Sequence, residues 1–130
     1  MNNKEILENL SCLHDMNPMN KWSIYEVNLS FNKDIFEIHG AWFMEHINDM
    51  VSLNGFSKAC VYQELIVDPT DDSFLRKCNL IVQYYIKSYE KLQDYLETKS
   101  QSMRSQVVEK FGNNYTVKRR VFELVKEIII

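Results

Sequence analysis

Polar and apolar positions alternate from Tyr25 to Phe31. Tyr25, Val27, Leu29 and Phe31 share one side, and Glu26, Asn28 and Ser30 share the other. A period of two marks a strand with one buried face. At Ile35 the period lengthens to that of a helix. Ile35, Ile38, Trp42, Phe43, Ile47, Met50 and Val51 form one broad apolar face, which predicts a helix to about Leu53. Asp34 is the expected N-cap, because its carboxylate can accept from free N–H groups. Asn54-Gly55 is the expected stop, since Gly tolerates the left-handed conformation that closes helices.

Alternation then resumes. From Ser57 to Val67, Ala59, Val61, Leu65 and Val67 fall on one face, and Cys60, Tyr62, Glu64 and Ile66 on the other. From Phe74 to Ile86, Cys78, Leu80, Val82, Tyr84 and Ile86 oppose Ile81, Gln83 and Tyr85. The intervening Asp68-Pro69-Thr70-Asp71-Asp72 is strong turn chemistry, so the pair reads as an antiparallel hairpin. Ser88 is the expected N-cap of a second long helix, carried by Leu92, Leu96, Met103 and Val107 to Phe111 and closed by Gly112. Its stretch Thr98–Ser102 is polar on nearly every side, so an exposed or kinked middle is expected. A last strand is expected from Tyr115 toward Val125.

The order strand, helix, strand, strand, helix, strand is the split βαβ arrangement. Right-handed crossovers place both helices on one face of a four-stranded antiparallel sheet. The fold class is therefore α+β, a ferredoxin-like βαββαβ plait spanning 23–130. Residues 1–22 read as an N-terminal arm. Ile6, Leu7, Leu10 and Leu13 predict a short amphipathic helix from about Asn3 to His14, broken by Met16-Asn17-Pro18. That arm packs on the domain or meets a partner.

Such a plait leaves one sheet face open. Here that face carries Cys60, Tyr62, Ile66, Ile81 and Tyr85, with Glu26, Gln83 and Arg119 or Arg120 among them. This is more apolar surface than a monomer usually exposes. A second copy of the same face, in a two-fold homodimer, is the simplest cover.

Composition narrows the functional classes. Three glycines in 130 residues, Gly40, Gly55 and Gly112, lie too far apart for a Gly-rich phosphate cradle. Apolar residues at 45% rule out a disordered chain. A net charge of −3 argues against nucleic acid, which demands a basic face. The cluster Lys118-Arg119-Arg120 alternates across a strand and reads as a solvated edge. Cys12, Cys60 and Cys78 are odd in number and widely spaced, which points to reduced thiols and a cytoplasmic location. No apolar stretch approaches the length of a membrane span, and the N-terminus lacks the apolar core of a signal peptide.

Candidate chemistry lies along one stripe of the first helix, where His39, Trp42, His46 and Asp49 follow at three, four and three residues. His39 and His46 stand two turns apart, about 10.5 Å along the axis, too far to chelate one metal. His46 is the candidate general base, with Asp49 as a carboxylate able to fix its tautomer and Tyr62 as a strand phenol able to work with it. His39, Trp42, Tyr84 and Tyr85 are the candidate ligand-binding residues. A His on a helix face that simply bonds a backbone carbonyl is the competing reading. No metal set and no cofactor is expected. Asp68, Asp71 and Asp72 lack the Gly and the closing Glu of a calcium loop.

The run Trp42-Phe43-Met44-Glu45-His46-Ile47, then Leu53-Asn54-Gly55-Phe56, and Phe111-Gly112 before the last strand, resembles a small uncharacterised bacterial family of the dimeric α/β-barrel superfamily. The resemblance covers roughly residues 22 to 126. It implies the fold and the homodimer, and no activity. Within that superfamily, Tyr–His pairs serve aldol-type cyclisation, and other members oxygenate quinol-like compounds without a cofactor. Haem-degrading members use a His on the second helix, and none stands between Ser88 and Gly112. The expected function is small-ligand binding in a helix–sheet cavity. The alternatives are a cofactor-independent monooxygenase or cyclase with His46 as base, and partner binding through the arm.

Overall fold

The computed structural model describes residues 22–65, 70 and 77–130. The arm and its helix, Cys12, and most of the turn at Asp68–Asp72 lie outside the described residues. In chain order come β1 (Ser23–Asn32), α1 (Lys33–Val51), β2 (Phe56–Gln63), β3 (Lys77–Ile86), α2 (Tyr89–Thr98), α3 (Ser100–Phe111) and β4 (Tyr115–Glu123). The strands form one antiparallel sheet in the order β2-β3-β1-β4. The ferredoxin-like plait expected from the hydrophobic pattern is the fold observed.

The period-2 reading fixes the faces. Tyr25, Leu29 and Phe31 of β1 and Cys78, Leu80, Val82, Tyr84 and Ile86 of β3 are buried beneath the helices. Phe43, Ile47 and Met50 of α1 meet them, with Leu92 and Tyr95 of α2 and Met103, Val107 and Phe111 of α3. Phe31 is the hub. Its ring lies within 4.6 to 6.0 Å of the rings of Phe36, Phe43, Phe111 and Tyr115, centroid to centroid.

Two expectations about the helices change. The second long helix is two, because Lys99, with φ −120° and ψ −24°, interrupts it between α2 and α3. The break falls inside the polar stretch Thr98–Ser102. Ser100 is nevertheless buried and donates from Oγ to the Leu96 carbonyl at 2.7 Å. Ser88 caps α2 as expected, accepting from Lys91 N–H at 3.2 Å. Asp34, however, is not the cap of α1. The cap position is Asn32, whose Oδ1 is engaged by Lys77 Nζ at 2.7 Å and caps nothing. Asp34 sits in the first turn and accepts from the adjacent Ile35 N–H.

Gly55 takes φ +90° in the turn into β2. A Cβ there would stand 2.5 Å from Lys91 Cβ, so both backbone conformation and close approach require glycine.

The open face holds a polar centre. Glu26 is 3% exposed although no helix among the described residues covers it. Its cross-strand partners are Gln83 on one side and Arg120 on the other. Gln83 Nε2 donates to Oε1 at 2.9 Å, while Asn28 Nδ2 and Arg120 Nε donate to Oε2 at 2.9 and 2.8 Å. Arg120 Nη2 adds an ion pair at 2.6 Å. Burial pushes the Glu26 pKa up. The bonds from Gln83, Asn28 and Arg120, with the guanidinium charge, push it down further and leave it below its ordinary value. Glu26→Ala is expected to cost about 1–3 kcal/mol in chemical denaturation, because three donors lose their acceptor. The carboxylate's contribution is full above its unfolded pKa of about 4.3 and is lost as pH falls through the depressed folded value. The variant should therefore show a shallower acid limb of stability against pH.

Candidate functional site

α1 carries His46 to the interface between helices and sheet because Phe43, Ile47 and Met50, which share its face, are core residues. His46 is 6% exposed. The Trp42 indole stacks on its ring at 5.2 Å between centroids and 20° between planes. Among the described residues, Nδ1 of His46 is the buried side-chain nitrogen or oxygen without a hydrogen-bond partner. Gln106 of α3 hydrogen-bonds the imidazole. Nδ1 is therefore the ring nitrogen open to a further partner. Burial holds the His46 pKa below its ordinary value, against the smaller opposing effects of the Gln106 bond and the Asp49 charge. The ring is neutral at pH 7.

His46 lines a cavity of about 40 Å³ between the helices and β1, β3 and β4. Tyr25, Tyr84 and Tyr95 line it as well, with Tyr25 stacked on Tyr84 at 6.2 Å and tilted against Tyr95 at 5.9 Å. Burial pushes the phenols of Tyr84 and Tyr95 upward, and the neighbouring tyrosines add to this, so both are protonated at neutral pH. Tyr95 Oη donates to Met50 Sδ at 3.4 Å. Arg104 of α3 donates to Tyr25 Oη at 3.2 Å. Arg104 and Arg119 are exposed residues that also line the cavity, so its outer rim is cationic. No carboxylate is among the described lining residues.

This is room for no more than a few water molecules. Met50 and Met103 are part of the wall, and unbranched thioether side chains re-pack readily around a guest.

The sequence-derived candidates separate. His46 and Tyr84 share the cavity. Asp49 is exposed on α1 and acts on His46 only through its charge. Trp42 backs the imidazole without lining the cavity, and His39 stands edge-on to Phe111 at 5.7 Å. Tyr62 and Tyr85 are on the opposite face of the sheet, in line with Cys60, Ile81 and Gln83. Tyr85 lies there beneath Lys58 Nζ, 4.5 Å from its ring centre. Neither phenol shares a cavity with His46, because alternate strand residues point to opposite faces. A hydrogen bond with Cys60 raises the Tyr62 pKa, so that exposed phenol stays protonated.

Tyr95, Arg104 and Arg119 were not among the candidates. Arg119 was legible, since it shares strand parity with Val117 and Val121; of the two arginines, Arg120 is the one on the open face. Tyr95 and Arg104 flank the break at Lys99, which shifts the phase between α2 and α3, so their convergence was not. Among the described residues, no helix is long and apolar enough to cross a membrane.

Solved structures show the same fold. A candidate antibiotic biosynthesis monooxygenase from Deinococcus radiodurans superposes with a TM-score of 0.61 at 12% identity, over 83% of this chain and 97% of that one. A mutant of SnoaB, a cofactor-independent oxygenase from Streptomyces nogalater, gives 0.57 at 9% identity, over 82% and 96%. The designed protein Foldit4 gives 0.50 at 10% identity, over 78% and 96%. At such identities the likeness establishes the fold alone. No curated protein matches the sequence significantly. The profile of DUF4286, a domain of unknown function, matches residues 22–125, and the chain belongs to that family.

Proposed function

We propose that the helix–sheet cavity binds a small, weakly acidic aromatic or enolic compound and that His46 accepts its proton. The observation that carries this reading is the partnerless Nδ1 of a buried, neutral imidazole lining a cavity. A buried acceptor left without a donor costs about 1–3 kcal/mol, so a ligand O–H that supplies the donor recovers that cost. In the proton transfer the ligand O–H or activated C–H bond breaks. The proton goes to Nδ1, the electron pair stays on the ligand, and Arg104 and Arg119 stabilise the resulting phenolate or enolate. The aromatic walls favour a planar guest.

Oxygenation without a cofactor extends this reading, because an electron-rich anion is the species that dioxygen attacks. The shared fold with a cofactor-independent oxygenase and with a candidate monooxygenase supports it. The test is to titrate the protein with 2-naphthol and follow its absorbance at pH 7. The expected result is a saturable red shift of the neutral naphthol band, as its O–H donates to Nδ1, lost in His46→Phe. An unchanged spectrum at saturating protein overturns the reading.

The partner we infer is a second copy, packed through the open sheet face. Tyr62 and Phe122 are exposed there, and Ile81 and Tyr85 are half-buried. Cys60 and Cys78 are free thiols, which fits the cytoplasmic location proposed for the chain.

A further inference from the structure

The polar groups around the helix–sheet cavity are sorted by kind. His46 Nδ1 is an acceptor without a donor. The rim has two cations that arrive from different elements. Arg119 shares strand parity with Tyr115 and Val117, which pack on the core, while Arg120 turns the other way to Glu26. Arg104 comes from α3 and reaches β1, where its Nη2 donates to Tyr25 Oη at 3.2 Å.

Both guanidiniums act on one phenol. Burial and Tyr25 push the Tyr95 pKa up, and the charges of Arg104 and Arg119 pull it down. Two like charges brought this near repel each other, and a carboxylate between them relieves the repulsion. The domain does not supply one. Among the described residues, Glu26 is taken up by Arg120, and neither Arg104 nor Arg119 has a carboxylate partner. The surplus is local, because the chain as a whole carries a net charge of −3.

We propose that the rim holds a carboxylate of the ligand, so that the compound bound is an aromatic or enolic hydroxy acid. This rests on the proton-accepting site proposed above and names the second group its ligand carries. The hydroxyl enters the cavity and donates to His46 Nδ1. The carboxylate stays at the mouth, where the planar forks of Arg104 and Arg119 each offer paired N–H donors. Tyr25 Oη accepts from Arg104 and keeps its own proton to donate to the same anion. The small cavity favours this division, since only the uncharged end enters, among aromatic and thioether side chains. A conjugated ring between the two groups spreads the charge left by the departing proton toward the guanidiniums.

Calorimetric titration at pH 7 with 2-naphthol, 2-naphthoate and 6-hydroxy-2-naphthoate tests it. 2-Naphthoate lacks the hydroxyl and reads the rim alone. The expected result is that 6-hydroxy-2-naphthoate binds about 10- to 150-fold more tightly than 2-naphthol, the worth of hydrogen bonds to a charged group. Arg104→Gln and Arg119→Gln should each shrink that ratio and weaken 2-naphthoate in parallel. Added salt should weaken both carboxylates more than 2-naphthol on the unaltered protein, a readout that needs no variant to fold. Equal affinity for 2-naphthol and 6-hydroxy-2-naphthoate overturns the carboxylate subsite and leaves the His46 site standing. So does a preference indifferent to both arginine variants and to salt. A preference that depends on the arginines, with binding of every probe indifferent to His46→Phe, supports the subsite and overturns the proton-accepting reading. Absence of binding by all three probes overturns both.

Discussion

Phe31→Ala should remove much of the molecule's margin of stability. The ring is fully buried, and it is the common neighbour of the four aromatic rings around it. Truncating a buried Phe removes its transfer free energy and leaves a cavity, for a total of about 3–5 kcal/mol. Domains near this size have about 5–15 kcal/mol in all, and each kcal/mol moves the midpoint by about 4–5 °C. A fall in melting temperature of about 15–20 °C is expected by differential scanning calorimetry. Phe31→Leu should recover more than half of it. A fall under about 5 °C for the alanine variant would mean that α1, α3 and β1 do not converge on this ring.

The second large effect is on function, with the opposite sign for stability. His46→Phe replaces an imidazole bearing a partnerless nitrogen by an apolar ring of similar shape, beside a cavity with room for the added volume. The variant should be as stable as the parent or about 1 kcal/mol more stable, since an unsatisfied polar atom is removed. Ligand affinity should fall by about 10- to 150-fold, the equivalent of a hydrogen bond to a charged group worth about 1.5–3 kcal/mol. Gain of stability with loss of binding is the usual mark of a site residue held at the fold's expense. The pH dependence follows from the depressed folded pKa. The unfolded imidazole protonates near 6.5 while the folded one resists, so the unfolded state binds more protons below that pH. The parent is at full strength above about 6.5 and weakens as pH falls from there to the depressed value. His46→Phe should lose that slope. Stability and affinity are read from denaturant melts at pH 7.5 and 5.5 and from calorimetric titration.

Much of this architecture was legible in the residues. The change of period at Ile35 located α1 to within two residues at each end, and strand parity alone assigned Glu26 and Gln83 to one face and Tyr25, Leu29 and Phe31 to the other. The cap at Asp34 was misplaced for a local reason. Two polar residues, Asn32 and Asp34, flank the helix start, and the competitor for Asn32 was Lys77, 45 positions away. The site was half legible. His46 stood out as the polar member of an apolar stripe, and Tyr84 was in view as a strand tyrosine. Grouping Tyr62 and Tyr85 with them ignored the same strand parity that placed the core. Tyr95 and Arg104 depended on the one-residue break at Lys99, and nothing in a helical period reveals where two helix axes bend toward a common point.

The account turns on a neutral imidazole with a free Nδ1 in the helix–sheet cavity. Nitrogen-15 NMR of the His46 ring across pH 5 to 8 tests this directly. The prediction is an Nε2–H tautomer whose titration midpoint lies below 6.5 and whose Nδ1 resonance shifts when 2-naphthol is added. A midpoint at or above 6.5, or a proton resident on Nδ1 at pH 7, would contradict it.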